Sequence, residues 1–188
     1  MTSEPLTPNE VEMRRLMEEL RDKHGAVAIK LGTTEGTGRP LGRFELVDYV
    51  HRLSLGILPV WVKVPGPEAH YEIKQLSRIG VQGIICSMTE SAYAIWKFVK
   101  TLHDEVESEK LKQIVKGMNL ESAASYESID SILKAPEIKE IDHVTVGTHD
   151  LSRATGRSRD DPEVRKMAGE ITRKAQAAGL SVSVSGVE

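Results

Sequence analysis

The chain has 188 residues, of which 39% are hydrophobic and 28% charged, and its net charge is −3. This length and composition predict one globular domain over residues 1–188, and we expect it to be soluble and cytoplasmic. The nearly balanced charge and the 4% aromatic content argue against nucleic acid as a partner, and no apolar run reaches the roughly 20 residues that a membrane span needs.

The first predicted element is an amphipathic helix near the N-terminus. Thr7 is a suitable N-cap, Pro8 suits the first helical turn, and Glu10 completes the spacing of a capping box. His24 and Gly25 end the helical pattern, because glycine readily adopts the left-handed conformation of a C-cap. The polar, acidic start of the chain does not resemble a secretory signal.

Six apolar runs, partly β-branched, then alternate with amphipathic stretches. The runs are predicted strands at residues 26–31, 58–64, 81–86, 113–120, 143–147 and 181–185. The stretches between them are predicted helices at residues 43–55, 68–79, 90–104, 122–134 and 162–178. This alternation indicates βα units and a parallel sheet.

The spacing of the strands leaves two architectures open. The strands recur about every 31 residues, and eight such units would need about 250 residues, the usual size of a (β/α)8 barrel. With six units, the chain forms either an open doubly wound sheet or a barrel that lacks its last two units.

Polar residues cluster at the carboxyl ends of the predicted strands, although buried parallel strands are normally apolar throughout. Lys30 ends the first strand and Lys63 nearly ends the second, whereas Glu121 and Asp150 follow the fourth and fifth. Ligands bind at this edge in both parallel architectures. The alternative is that these residues form ion pairs at the rim or reach solvent. Two carboxylates without thiolate partners suit Mg²⁺ or Mn²⁺ better than zinc.

Four segments carry a resemblance to a known family. They read VWVKVPGPEA at 60–69, GVQGIICSMTES at 80–91, NLES at 119–122 and VGTHDLS, read as a loop, at 146–152. In these segments, and over about residues 20 to 186, the chain resembles the HpcH/HpaI aldolase and citrate lyase β-subunit family. The resemblance implies an α/β fold of the (β/α)8 TIM-barrel type, truncated here to about six βα units with an N-terminal helix.

The same resemblance implies a metal-dependent carbon–carbon lyase or aldolase. Glu121 and Asp150 would hold Mg²⁺ or Mn²⁺, and Lys63 and Lys30 would bind a pyruvate-like 2-oxo acid or an acyl-thioester at its oxyanion or carboxylate. Two further catalytic candidates, as polar partners or proton carriers, are Glu68 and Glu35. The substrate-binding candidates, which lie in the matching segments, are Gly147, Thr148, Ser122 and Ser87.

Two departures from the family pattern leave alternatives open. Lys63 stands where the family's aldolases commonly have Arg, and a point charge cannot form the bidentate contact of a guanidinium. The chain ends before the last two strands of family members, so we expect a homo-oligomer or a partner subunit to cover two sheet edges and an apolar lumen.

A Schiff base at Lys30 or Lys63 is an alternative mechanism. The alternative function is a non-catalytic or partner-dependent relative that binds a small carboxylate metabolite or completes another subunit.

Overall fold

The structure is a computed structural model, and it describes residues 5–33 and 43–185. The strands are β1 (Ile29–Gly32), β2 (Val60–Val64), β3 (Gly83–Cys86), β4 (Val115–Leu120), β5 (His143–Gly147) and β6 (Ser181–Ser185). The helices are α1 (Pro8–His24), α2 (Arg43–Ser54), α3 (His70–Ile79), α4 (Ala92–Glu105), α5 (Ser108–Leu111), α6 (Ala123–Glu127), α7 (Ile129–Leu133), a 3-10 helix (Pro136–Glu140), α8 (Thr148–Ala154) and α9 (Pro162–Ala177). None of the helices within the described ranges is long and apolar enough to cross a bilayer.

Helix α1 begins and ends as its sequence predicts. The Thr7 hydroxyl accepts a hydrogen bond from the Glu10 amide at 3.3 Å, and the Glu10 carboxylate accepts one from the Thr7 amide at 2.7 Å, which confirms the capping box. Gly25 ends the helix with a φ of 69°. Arg14 ties α1 to the rest of the fold, because its guanidinium donates to the carbonyl oxygen of Leu53 in α2 at 2.6 Å.

The six strands form one parallel sheet in the order β1-β2-β3-β4-β5-β6. A doubly wound sheet reverses its strand order at a switch point, so the doubly wound alternative is wrong. The sheet is strongly curled, since the Lys30 ammonium of β1 donates to the Thr145 hydroxyl of β5 at 2.8 Å. Strands four positions apart in a flat sheet lie about 19 Å from each other. The fold is therefore a curled half-barrel, consistent with a truncated TIM barrel.

The hydrophobic core lies between the outer face of this sheet and the helices. Side chains alternate across a strand, so every second residue faces the helices. The buried strand residues of the core include Val60, Val62, Val64, Ile84, Met118, Leu120, Val144 and Val146. The helices contribute fully buried side chains such as Ile73, Phe98 and Ile171.

The inner face of the sheet, which lines the lumen of the half-barrel, is mostly polar. Its polar residues include Lys30, Lys63, Asn119, Glu121, His143, Thr145 and Ser183. The expectation of an apolar lumen is wrong, because the two-residue period of the strands places their apolar side chains against the helices instead. These inward polar groups hydrogen-bond one another, across the lumen from Lys30 and between the neighbouring strands β5 and β6.

Two glycines make room for large side chains on the inner face. A Cβ atom at Gly83 would lie 2.5 Å from the Trp61 ring, and a Cβ atom at Gly117 would lie 2.4 Å from Ile85 Cδ1. Each glycine is the cross-strand partner of the residue that it accommodates. Large and small residues therefore alternate between neighbouring strands of the lumen.

The largest differences from the predicted boundaries are at three places, and the other predicted strands and helices differ by no more than two residues at either end. The first strand begins at Ile29 instead of residue 26, because the Ala26 amide closes α1 by donating to the Leu20 carbonyl oxygen. Residues 122–134 form two helices, α6 and α7, which are separated at Ser128. The VGTHDLS segment is not a loop, since β5 continues directly into α8.

His143 joins β5 to β6 inside the lumen. Its Nδ1 lies 2.8 Å from Ser181 Oγ, and its Nε2 lies 2.9 Å from Ser183 Oγ. A neutral imidazole suits these two hydroxyl groups, because it has one donor and one acceptor nitrogen. Burial, and to a smaller extent the positive charge of Lys30, lower the pKa of His143 to about 4.

We expect His143 to make the fold less stable as the pH falls from about 6.5 towards 4. In this window the unfolded chain takes up a proton at this histidine and the folded chain does not, so acidification favours unfolding. Between pH 7 and pH 5, the free energy of unfolding is expected to fall by about 2 kcal/mol more in the wild type than in His143→Gln.

Urea unfolding of both proteins at the two pH values measures this difference. Burial also lowers the pKa of His51, but His51 is present in both proteins and its contribution cancels. Equal losses of stability in the wild type and in His143→Gln would contradict the prediction.

Candidate active site

A cavity of about 330 Å³ opens at the carboxyl edge of the half-barrel. Its lining residues are Lys30, Leu31, Lys63, Asn119, Glu121, Gly147, His149, Asp150 and Ser185. Half of the predicted site residues therefore meet here, namely Lys30, Lys63, Glu121, Gly147 and Asp150. The carboxyl edge of the strands is the ligand-binding end of TIM-type barrels.

A larger cavity, of about 710 Å³, lies between α8, α9 and β6. Its lining includes Val164, Ala168 and Val184 together with charged residues of both signs, namely Arg159, Asp160, Arg165 and Arg173. Size and charge alone therefore do not locate the site. We place the candidate site in the smaller cavity, because it lies at the carboxyl edge of the strands and brings together the predicted lysines and carboxylates.

Glu121 is held firmly although it is charged and only 3% exposed. It follows the last residue of β4, so the strand fixes its backbone. The backbone amide of Met88 donates to Glu121 Oε1 at 3.0 Å, and Asn119 Nδ2 donates to Glu121 Oε2 at 2.9 Å. Each carboxylate oxygen thus receives one N–H from a neutral donor, and its remaining lone pair is suited to a cation.

Gly147 lies against this carboxylate from the neighbouring strand. A Cβ atom at Gly147 would lie 2.7 Å from Glu121 Oε2 and 2.6 Å from Glu121 Cβ. No side chain fits in that space unless Glu121 moves. Gly147 therefore contributes to the site through the close approach of its backbone to Glu121.

Asp150 reaches the cavity from the first turn of α8. Gly147 is the last residue of β5 and Thr148 is the first of the helix, so the chain turns into α8 without a loop. Asp150 is half-buried and lines the same cavity as Glu121. Its negative charge in the first helical turn is favourable, because the N-terminus of a helix carries partial positive charge.

Lys30 and Lys63 approach the cavity from neighbouring strands. Lys30 Nζ donates to Thr145 Oγ1 at 2.8 Å and to Asn119 Oδ1 at 3.2 Å. Lys63 is half-buried, and its backbone pairs in register with Gly32 of β1. Two cations and two carboxylates therefore line one cavity.

Glu68 lies outside this cavity. Its carboxylate accepts a hydrogen bond from Lys97 Nζ of α4 at 2.5 Å, and its side chain is 58% exposed. The hydrogen bond and the charge of Lys97 lower the pKa of Glu68, so this carboxyl group is ionised at neutral pH and has no proton to donate. Glu35, the other predicted proton carrier, lies outside the described residues.

The three hydroxyl residues predicted to bind substrate make hydrogen bonds within the fold. Ser87 Oγ donates to the Val64 carbonyl oxygen at 2.5 Å. Thr148 Oγ1 donates to the Ser185 carbonyl oxygen at 2.5 Å. Ser122 caps α6, since its hydroxyl accepts a hydrogen bond from a backbone amide of the first turn. These contacts tie strand ends and a helix start to the rim of the site.

Glu121 and Asp150 are the carboxylates of the cavity that could hold a metal ion. In the part of the chain that the structure describes, no group of three or more histidine, cysteine, aspartate or glutamate side chains could hold a metal. Zinc normally takes three or four protein ligands. Mg²⁺ commonly uses one or two carboxylates and completes its shell with water or substrate oxygens. Among the described residues, these two carboxylates therefore suit Mg²⁺ or Mn²⁺ better than zinc.

Asn119 lines the cavity but is absent from the predicted site. Asn119 precedes Glu121 by two residues in a buried strand, and residues two apart share one face of a strand. A polar residue at that position is the signal that could have identified it. His149 also lines the cavity. From the sequence, His149 is a candidate general base next to Asp150, with a solvent-facing loop residue as the alternative.

Comparison with solved structures places the half-barrel among known folds. The citrate synthase SbnG superposes with a TM-score of 0.75 at 15% identity, covering 96% of this chain and 75% of that one. The HpcH/HpaI aldolase from Desulfitobacterium hafniense DCB-2 gives 0.73 at 18% identity, covering 97% and 76%. An HpcH/HpaI aldolase/citrate lyase family protein from Burkholderia cenocepacia J2315 gives 0.70 at 14%, covering 93% and 75%. At these identities the similarity concerns the fold.

The sequence itself provides the family assignment. None of the curated proteins compared with this chain matches it significantly. A family model described as HpcH/HpaI aldolase/citrate lyase matches residues 43–186, which include every described residue of the cavity except those on β1. Since this match extends over most of the sequence and confirms the resemblance of its motifs, the chain belongs to the HpcH/HpaI aldolase/citrate lyase family.

Proposed function

We propose that this protein is a divalent-metal-dependent carbon–carbon lyase or aldolase that acts on the enolate of a pyruvate-like 2-oxo acid or an acyl-thioester. The observation that carries the proposal is the meeting of Glu121, Asp150, Lys30 and Lys63 in one cavity at the carboxyl edge. Membership of an aldolase/citrate lyase family supports a lyase.

Each group has a part in stabilising an enolate, whose oxygen carries the negative charge that develops in the reaction. Glu121 and Asp150 would hold Mg²⁺ or Mn²⁺, and a bound ion would supply positive charge that stabilises the enolate. Lys30 and Lys63 bind the carboxylate of the substrate and restrict its orientation. Gly147 leaves the space in which the Glu121 carboxylate lies.

Enolate formation also requires a group that removes a proton from the substrate carbon. Of the described residues, His149 is suited to this step, because it lines the cavity and an imidazole can accept and return a proton. Glu35 remains a predicted proton carrier.

A Schiff base at a lysine is the competing route to the same enolate equivalent. It requires an unprotonated amine, which desolvation or a neighbouring cation usually produces. A Schiff base at Lys30 or Lys63 has no need of the two carboxylates that line the same cavity. The meeting of Glu121 and Asp150 beside the lysines therefore supports the metal route.

Exchange of the methyl protons of pyruvate with D2O tests the proposal without knowledge of the aldehyde acceptor. We expect ¹H NMR to show exchange that depends on Mg²⁺, stops on addition of EDTA and resumes when excess Mg²⁺ is restored. Treatment with pyruvate and borohydride is expected to leave the mass of the protein unchanged.

Two results would contradict the proposal in protein that circular dichroism shows to be folded. Exchange that persists in EDTA, together with a pyruvate adduct on Lys30 or Lys63 after borohydride, would establish the Schiff-base route. Absence of exchange with both pyruvate and an acyl-thioester, with Mg²⁺ present, would favour a relative that only binds a carboxylate metabolite.

A further inference from the structure

Asn119 lies between a cation and an anion at the edge of the candidate site. Its Oδ1 accepts a hydrogen bond from Lys30 Nζ at 3.2 Å, and its Nδ2 donates one to Glu121 Oε2 at 2.9 Å. The orientation of this amide is determined by its partners, because an ammonium group can only donate and an ionised carboxylate can only accept. Asn119 is itself 3% exposed.

Through these two contacts, Asn119 links Lys30 to Glu121 and lies between their charged groups. The path from Lys30 Nζ to Glu121 Oε2 consists of two hydrogen bonds and one amide group. The two atoms are therefore no more than about 8 Å apart. The flexible stem of a lysine can cover much of this separation when nothing intervenes. A direct ion pair would place the ammonium group on lone pairs that a metal ion needs.

We infer that Asn119 is a positioning residue that separates Lys30 from Glu121 and thereby keeps the Glu121 carboxylate available to a divalent cation. The inference rests on the proposed function, since it assigns Glu121 to the metal. Thr145 assists by accepting a second hydrogen bond from Lys30 Nζ at 2.8 Å, which holds the ammonium group on the β5 side of the lumen. Met88 holds the other oxygen of Glu121 through its backbone amide.

The separation has a direct consequence for metal affinity. When Asn119 is replaced by alanine, Lys30 loses one acceptor and Glu121 loses one donor, so the two charged groups can pair. Outer-shell hydrogen bonds to metal ligands typically change metal affinity by about 10- to 100-fold. We expect Asn119→Ala to weaken Mn²⁺ binding by about that factor.

Removing Lys30 as well shows whether Asn119 acts by separating the two charged groups or only by supporting the local structure. In Lys30→Met/Asn119→Ala no ammonium group competes for Glu121, so the loss of Mn²⁺ affinity relative to Lys30→Met alone is expected to be at least about threefold smaller than the loss that Asn119→Ala causes in the wild type. Mn²⁺ binding to these variants and the wild type can be measured by electron paramagnetic resonance of the free ion. Unchanged affinity in Asn119→Ala, or a loss that is as large with Lys30→Met as without it, would overturn the inference.

A second measurement tests the contacts of Asn119 without any metal. The side-chain amide signals of Asn119 in a ¹H–¹⁵N spectrum are identified by their loss in Asn119→Ala. They are expected to shift in both Lys30→Met and Glu121→Gln, and to stay in place in Glu163→Gln, whose substitution lies on the exposed surface of α9.

The two measurements separate failure of the inference from failure of the proposed function. If the wild type binds no Mn²⁺, the proposed metal site is wrong, and the amide signals still decide whether Asn119 joins the two charges. If the Asn119 amide signals do not shift in Lys30→Met, or do not shift in Glu121→Gln, the inference is overturned regardless of the Mn²⁺ affinity.

Discussion

Replacing Glu121 with glutamine is expected to lower the metal-dependent exchange of pyruvate methyl protons by about 10²- to 10³-fold. Glutamine retains the size and shape of glutamate but removes the charge that attracts the metal. It also presents an NH2 group where one carboxylate oxygen now accepts from Asn119 Nδ2. The substitution therefore removes a metal ligand and turns one of its supporting contacts into a repulsion between two donors.

A matched control separates this effect from general loss of charge. Glu163→Gln makes the same chemical change at a glutamate whose side chain is 54% exposed on α9, and we expect it to leave exchange unchanged. Urea unfolding of both variants reports any loss of stability. Full Mg²⁺-dependent exchange in folded Glu121→Gln would contradict the role assigned to Glu121.

The second large effect is expected for Gly147→Ala, which adds one methyl group beside Glu121. The new Cβ atom would lie 2.7 Å from Glu121 Oε2, a distance that forces the carboxylate to move. We expect Mn²⁺ affinity to fall by about 10- to 100-fold. Because the added group overfills a packed position, we also expect a loss of about 1–3 kcal/mol in the free energy of unfolding.

Gly169→Ala is the control for this substitution. Gly169 lies in α9, and a Cβ atom there would have no heavy atom within 4 Å. Alanine is favoured over glycine inside a helix by about 0.5–1 kcal/mol, so this variant is expected to be slightly more stable and to bind Mn²⁺ normally. Titration with Mn²⁺ and urea unfolding measure both properties. If Gly147→Ala bound Mn²⁺ as tightly as the wild type, the added methyl group would not displace the Glu121 carboxylate, and the prediction would be wrong.

The sequence predicts the architecture and the charged centre of the site because both depend on local patterns. Alternating apolar and amphipathic stretches identify six strands, and the strand order then excludes the doubly wound alternative. Lys30, Lys63, Glu121 and Asp150 are recognisable because each interrupts or ends an apolar strand, and the carboxyl ends of parallel strands share one edge.

What the sequence does not predict depends on contacts between distant segments. Glu68 lies next to a strand end, yet its partner is Lys97, a residue of α4 whose approach follows from helix packing. The bridging role of Asn119 requires the curl that brings β1 across to β4 and β5. The space at Gly147 is likewise apparent only when the side chain of Glu121 is present.

The polarity of the lumen is a further property that single strands do not reveal. The run at 143–147 alternates polar and apolar residues, and the structure places His143 and Thr145 inward while Val144 and Val146 face the helices. Which alternate set faces inward is determined by the helices that cover the other side, and this requires the assembled fold.

The binding of a divalent metal by Glu121 and Asp150 can be tested by locating bound Mn²⁺ in a crystal. Crystals of the wild-type protein grown with Mn²⁺ and measured at a wavelength where manganese scatters anomalously would show the ion without reference to any substrate. We expect one strong anomalous peak in the cavity at the carboxyl edge, within about 2.0–2.3 Å of an oxygen of both Glu121 and Asp150. A fully occupied Mn²⁺ ion elsewhere, with no peak between these two carboxylates, would contradict this expectation.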